Sequence, residues 1–185
     1  MALVMKWCSI ASSKTMMREL NQTMTITLRD AGLDDEPFLL QVFACTRAAE
    51  LALVPWSDEQ RDAFLQMQFN AQHSYYHERH PDADYKIILR DDEAVGRLYV
   101  LREKDLIRIM DITVLPDYRN AGIGSGLIQS LLDEATGAKQ KVQIYVENFN
   151  PSLALFKKMN FSLLKEDGFN LLLEWGPPAA AAESQ

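Results

Sequence analysis

The chain has 185 residues, of which 48% are hydrophobic and 24% charged, and its formal net charge is -7. That length suits one domain with a sizeable core, and the composition excludes a disordered chain. The acidic balance, with no cluster of Lys and Arg, argues against a nucleic-acid surface, and no apolar run approaches a membrane span.

Cys8 and Cys45 are too few for a disulfide framework or a metal cluster. Cys45 lies in an apolar helical stretch, which predicts a buried, inert thiol. The first 23 residues lack the long apolar core of a signal peptide. They precede what reads as a domain opening at Met24, so residues 1–23 are expected to be a leader outside the fold. Residues 24–176 would then form one domain, and 177–185, "PPAAAAESQ", a fraying tail. A cytoplasmic location is the expectation.

In chain order, "TITLR" (25–29) alternates and is rich in β-branched residues, which predicts a strand. "DDEPFLLQVFACTRAAELALV" (34–54) has helical periodicity, with acidic residues and Pro37 in its first turn. Ser57 to Gln60 spells S-x-x-Q, a capping box, opening a helix over 58–80 that stops at Pro81. "DYKIILR" (84–90), "AVGRLYVLRE" (94–103) and "LIRIMDITVL" (106–115) are separated by short polar breaks, which predicts an antiparallel meander. Over 123–138, Ile123, Leu127, Ile128, Leu131 and Leu132 form one helical stripe. "KVQIYVE" (141–147) alternates like a strand, and "PSLALFKKMN" (151–160) reads as a short helix with Pro151 at its first position. A closing hairpin with its turn at Asp167-Gly168 completes the order β-α-α-β-β-β-α-β-α-β-β, a mixed α/β fold.

Gly122, Gly124 and Gly126 stand at alternate positions just before the third helix. No Lys follows them as a P-loop requires, and Leu127 stands where a dinucleotide fingerprint needs its last glycine. The pattern that remains is R-x-x-G-x-G, met by Arg119, Gly122 and Gly124. A loop over 120–125 would present successive backbone N–H groups at a helix N-terminus, a setting suited to a pyrophosphate. The same glycines also fit a plain strand-to-helix turn.

With its element order, this loop makes the chain resemble the GNAT superfamily of acetyl-CoA-dependent N-acetyltransferases. "ITVLPDYRNAGIGSGLI" is similar to that family's acetyl-CoA motif, and "NPSLALFKKMNF" to its later L-Y-x-x-x-G-F motif. The resemblance spans roughly residues 25–175 and implies a mostly antiparallel, twisted sheet of about seven strands with four helices. It also implies acetyl-CoA as co-substrate and an amine as acceptor. The fourth strand should bulge and splay from the fifth, freeing the backbone of Ile112, Thr113 and Val114 for the pantetheine arm. Arg119, Asn120, Ala121, Gly122, Ile123, Gly124 and Ser125 would hold the pyrophosphate, and Asn150 would contact the cofactor. Sheet core for the strand residues, and a helix cap for Asn150, are the plainer roles.

Direct attack by an amine needs a base and a way to stabilise the departing thiolate. Asp111 is the first candidate base, although pairing with a neighbouring Arg would account for it equally well. Tyr145 and Glu147 follow it. Phe156, placed beside the cofactor, stands where the family's general-acid Tyr is usual, and Asn160 stands where Gly is usual. A degenerate acyl-CoA-binding protein with little turnover is therefore the alternative. Arg47, Glu50, Gln72 and Tyr76, on the first two helices, are expected to shape the acceptor site, against an ordinary solvated face. The family often dimerises, which leaves a homodimer open. His73, His77 and His80 share one helix face, but they lack a HExxH glutamate and a cysteine ligand, and a helix C-terminus favours histidine anyway. No metal is expected.

Overall fold

Residues 24–177 are described by the computed structural model; the expected leader, Cys8 and the tail after Pro177 lie outside them. Strands β1 (Ile26–Asp30), β2 (Asp84–Arg90), β3 (Glu93–Arg102) and β4 (Leu106–Val114) pair antiparallel in succession. The β2–β3 connection is only Asp91 and Asp92, at φ 50° and 68°. Left-handed backbone at both central residues matches the twist of a tight hairpin, and Asp tolerates it.

β4 then enters a parallel pairing, which demands a crossover helix. That helix is α3 (Ile123–Ala138), and it delivers the chain to β5 (Lys141–Glu147). β6 (Ser162–Asp167) and β7 (Asn170–Trp175) close the sheet, whose order is β1-β2-β3-β4-β5-β7-β6. Helices α1 (Glu36–Leu51) and α2 (Asp58–Arg79) precede β2, and α4 (Leu153–Lys158) precedes β6. The α2 N-terminus carries the reciprocal cap expected of Ser57 and Gln60, at 2.9 and 3.3 Å.

The two faces of the sheet bury different layers. Ile107, Ile109, Val142, Ile144 and Val146 pack with Ile128, Leu131, Leu132 and Ala135 of α3. On the opposite face, Ile87 and Tyr99 pack with Leu39 and Phe43 of α1 and Phe69 of α2. α1 and α2 thus cover the first half of the sheet, and Tyr145 on β5 stays 52% exposed.

Near α4 the structure corrects the expected boundary. The helix begins at Leu153 and not at Pro151, because Asn150 Oδ1 accepts from both the Ser152 N–H (2.9 Å) and its hydroxyl (2.7 Å). Asn160 adopts φ 64°, the left-handed conformation that glycine usually supplies after a helix, so asparagine serves here. Phe156 is 2% exposed, its ring edge-on to Phe161 at 5.3 Å, and it fills core space. Among the described residues, no helix is long and apolar enough to cross a membrane.

Candidate active site

The site begins where two parallel strands part. β4 and β5 pair only from Leu106–Lys141 to Ile109–Ile144. At that point β4 carries an extra residue: Ile109 faces Val100 and Asp111 faces Tyr99, leaving Met110 unpaired between them. Such a bulge bends a strand and ends its regular pairing. Beyond it, Asp111 to Val114 remain bonded to β3, while the ladder to β5 has stopped. One edge of β4 is therefore left without a strand partner beyond Ile109.

The N-terminus of α3 faces the same end of β4. Gly122, its N-cap, has φ 82°, a conformation that disfavours any side chain, and Asn120 precedes it at φ 60°. The first hydrogen bond of the turn runs from the Gly126 N–H to the Gly122 carbonyl (2.9 Å). As at any helix start, the N–H groups of Ile123, Gly124 and Ser125 have no intrahelical acceptor. A β-carbon on Gly124 would meet no atom within 4 Å, so that surface is open. The Ser125 hydroxyl turns back to the Gly122 carbonyl (2.9 Å), and Ala121 is exposed. A bare, left-handed loop opening a helix fits a phosphate group.

Arg119 closes the loop onto the strand. Its Nε donates to the Val114 carbonyl (2.8 Å), and its Nη2 reaches Cys45 Sγ of α1 at 3.5 Å. Cys45 is thus half-buried at the site margin and not sealed in the core, which corrects the sequence expectation. Its thiol still lies above the usual range, chiefly through burial, with the Arg119 charge opposing. A groove of about 770 Å³ runs past Cys45 between α1 and α2.

Beneath the bulge lies a charged network in which Asp111 does pair with an arginine of the neighbouring strand, Arg97, a residue the sequence reading does not single out. Arg97 of β3, 2% exposed, pairs through Nη2 with Asp111 Oδ2 at 2.7 Å and donates to Gln72 Oε1 of α2 at 3.1 Å. Asp111 Oδ1 also accepts from the Thr113 hydroxyl (2.8 Å). Burial, the largest single effect, pulls the Arg97 guanidinium down, but the charge of Asp111, its hydrogen bond and the Tyr99 and Tyr76 hydroxyls together raise it above its ordinary value. The Arg97 Nε and the Tyr99 hydroxyl are buried without a hydrogen-bond partner among the described residues. Tyr76 packs edge-on to Tyr99, and its hydroxyl lies a long 3.5 Å from the Met110 carbonyl. Burial, then the nearby Asp111 charge, pushes the Tyr76 hydroxyl up to about 12. The signal available in sequence was "AVGRLYVL": a glycine and an arginine inside an otherwise apolar strand.

At the open end, Arg47 of α1 lies 3.3 Å from Glu147 of β5 and 3.5 Å from Glu50. All three side chains are a third or more exposed. Gln72 and Tyr76 meet the Arg97 network, whereas Arg47 and Glu50 stand at the rim. His77 stacks on Tyr85 at 4.0 Å, and the His73 ring lies tilted against His77 at 4.4 Å. Among the described residues no group of three or more His, Cys, Asp or Glu is placed to hold a metal ion.

Residues 43–161, more than half of the chain, match the acetyltransferase (GNAT) family. The chain belongs to this family. The GNAT family uses acetyl-CoA. No curated protein matches the chain in sequence. In fold, this GNAT chain is similar to the PaiA N-acetyltransferase from Thermoplasma acidophilum in complex with coenzyme A. The two are 16% identical with a TM-score of 0.63, over 83% of this chain and 99% of that one. It is similar also to an acetyltransferase from Thermus thermophilus, 19% identical with a TM-score of 0.58 over 82% and 97% of the two chains. The ribosomal-protein-S18-alanine N-acetyltransferase from Escherichia coli shares 17% identity and a TM-score of 0.57 over 87% and 99%. At such identities the likeness is one of fold.

Proposed function

We propose that this GNAT chain transfers an acetyl group from acetyl-CoA to an amine within a ternary complex. The observation that carries the reading is the parting of β4 from β5 after Ile109, opposite the open N-terminus of α3. Acetyl-CoA, when bound, supplies an activated acyl thioester; the chain supplies position and proton handling. The N–H groups over 120–125 would hold the pyrophosphate, assisted by Arg119, and the free backbone edge at Ile112 and Thr113 would take the pantetheine arm. The Val114 carbonyl already accepts from Arg119, so its share is smaller. Asn150 has its side-chain oxygen engaged at the α4 turn and would contribute at most its amide nitrogen.

An amine of pKa near ~10 arrives mostly protonated, so a base must take a proton. Asp111 is ill-suited, because protonating it strands a buried guanidinium. Glu147 is more accessible, and its partner Arg47 has Glu50 to fall back on. We assign proton removal to Glu147, through water, with the exposed Tyr145 ring beside the acceptor. Arg47, Glu50 and Glu147 together carry one net negative charge, which favours a cationic acceptor.

Phe156 has no hydroxyl, which supports the second reading, an acyl-CoA-binding protein with little turnover. One experiment decides between them. Acetyl-CoA is titrated calorimetrically, and CoA release is then followed over a panel of amines. Binding with turnover on a cationic amine sustains the enzyme, binding with no turnover favours the second reading, and no binding rejects both.

A further inference from the structure

We propose that the Arg97–Asp111 ion pair creates the β4 bulge, and with it the open backbone edge, so that Arg97 is a positioning residue for the cofactor site. The inference rests on the reading above for what that edge receives, but the bulge itself is tested independently of any ligand.

The argument starts from alternation. In β4, Ile107 and Ile109 point into the apolar layer under α3. A regular strand turns every second residue to the same face, so residue 111 would come next. At that position the chain carries a carboxylate, which an apolar layer rejects. The extra residue Met110 resets the phase. Met110 packs with the layer beneath α1 and α2, Asp111 meets Arg97, itself bonded to Gln72, on that same face, and Ile112 and Val114 return to the α3 layer.

Arg97 supplies the attraction. Its guanidinium is permanently charged, 2% exposed, and fixed by Gln72 and by the Tyr99 ring, whose centroid is 5.1 Å away. A buried charge so held demands a counter-charge, and Asp111 is the residue across the sheet able to meet it. The residue before it acts in the same sense. A β-carbon on Gly96 would stand 2.2 Å from the Thr113 carbonyl oxygen, so only glycine lets β4 lie this close to β3. Arg97 draws the end of β4 toward β3, Gly96 permits the approach, and the β5 side is left unpaired.

The test replaces the pair by apolar residues, Arg97→Met with Asp111→Leu. Such a swap is usually neutral or stabilising for the fold. It also removes the reason for the bulge, since a leucine at 111 suits the α3 layer. Three results are expected: a melting temperature no lower than wild type, slower amide hydrogen exchange over 110–114 as that edge pairs with β5, and acetyl-CoA binding weakened by about tenfold or more. Arg97→Lys, which keeps the charge but loses the planar fork, should retain more affinity than the double variant. Wild-type exchange and affinity in the double variant would overturn the proposal, as would a loss in Arg97→Lys equal to that of the double variant. If the double variant does not fold, Asp111→Asn serves: slower exchange at 110–114 with weaker binding supports the role, and unchanged or faster exchange there rejects it. Should wild type itself bind no acetyl-CoA, the functional reading fails, while the exchange comparison still decides the role of the pair.

Discussion

Gly96 and Thr113 lie so close that a β-carbon on the glycine would stand 2.2 Å from the threonine carbonyl oxygen. The obstacle is backbone on a paired strand, so no rotamer change relieves it. Gly96→Ala is therefore expected to cost roughly 1–3 kcal/mol or more, by overpacking. Urea denaturation checks this, and a midpoint equal to wild type would show that β3 and β4 separate freely.

Gly124→Ala should behave in the opposite way. Space around its β-carbon is open, and alanine favours a helix by up to ~1 kcal/mol, less in a first turn. Stability should hold or rise slightly, while acetyl-CoA affinity falls, because a methyl group would stand over the N–H groups of the α3 start. Thermal unfolding and calorimetry on the same sample separate the two effects. Equal affinity in wild type and variant would remove the glycine loop from cofactor binding.

Alkaline stability should depend on two tyrosines. Burial raises the hydroxyls of Tyr76 and Tyr99 from 10.0 to about 12. The unfolded chain loses these protons first, so the stabilisation is complete below pH ~10 and is lost as pH rises through ~12. Each group contributes on the order of 2–3 kcal/mol to this loss. Denaturant midpoints between pH 9 and 12 should fall accordingly, and Tyr76→Phe should flatten the slope. The phenylalanine sacrifices only a 3.5 Å contact, so its stability near neutral pH should stay close to wild type.

Glu147→Gln separates proton removal from binding. If Glu147 takes the proton through water, the variant should lose turnover by ~10²-fold or more while acetyl-CoA affinity stays unchanged. Asp111→Asn, by contrast, should lower affinity and fold stability together, because it weakens the hold on Arg97. Steady-state kinetics with saturating acetyl-CoA distinguish them, and undiminished turnover in Glu147→Gln would return the base to another group.

Several features were readable before any tertiary information. The S-x-x-Q cap, the paired aspartates of the β2–β3 turn and the α3 stripe are interactions among residues close in sequence, so their pattern survives in the linear chain. The R-x-x-G-x-G loop is local too, and its helix N-terminus follows from backbone geometry. Arg97 was different. Read along the strand it is one charge among apolar neighbours, and its partners, Asp111 and Gln72, lie 14 and 25 residues away. Cys45 was misjudged for the same reason: helical periodicity places it on an apolar stretch, but Arg119, 74 residues on, brings it to the site margin.

Local chemistry alone thus dictates the order of elements, their caps and turns, and the bare loop that opens α3, because each depends on spacing of a few residues. Packing alone decides which carboxylate is held by a buried charge and which is only loosely paired at the rim. Asp111 and Glu147 are equivalent as letters. One is neutralised by a buried arginine from the neighbouring strand, and the other shares a half-buried arginine with Glu50. Packing also decides that β4 bulges at Met110, since an apolar layer on one face and a buried guanidinium on the other pull Asp111 toward β3 and leave the opposite edge unpaired.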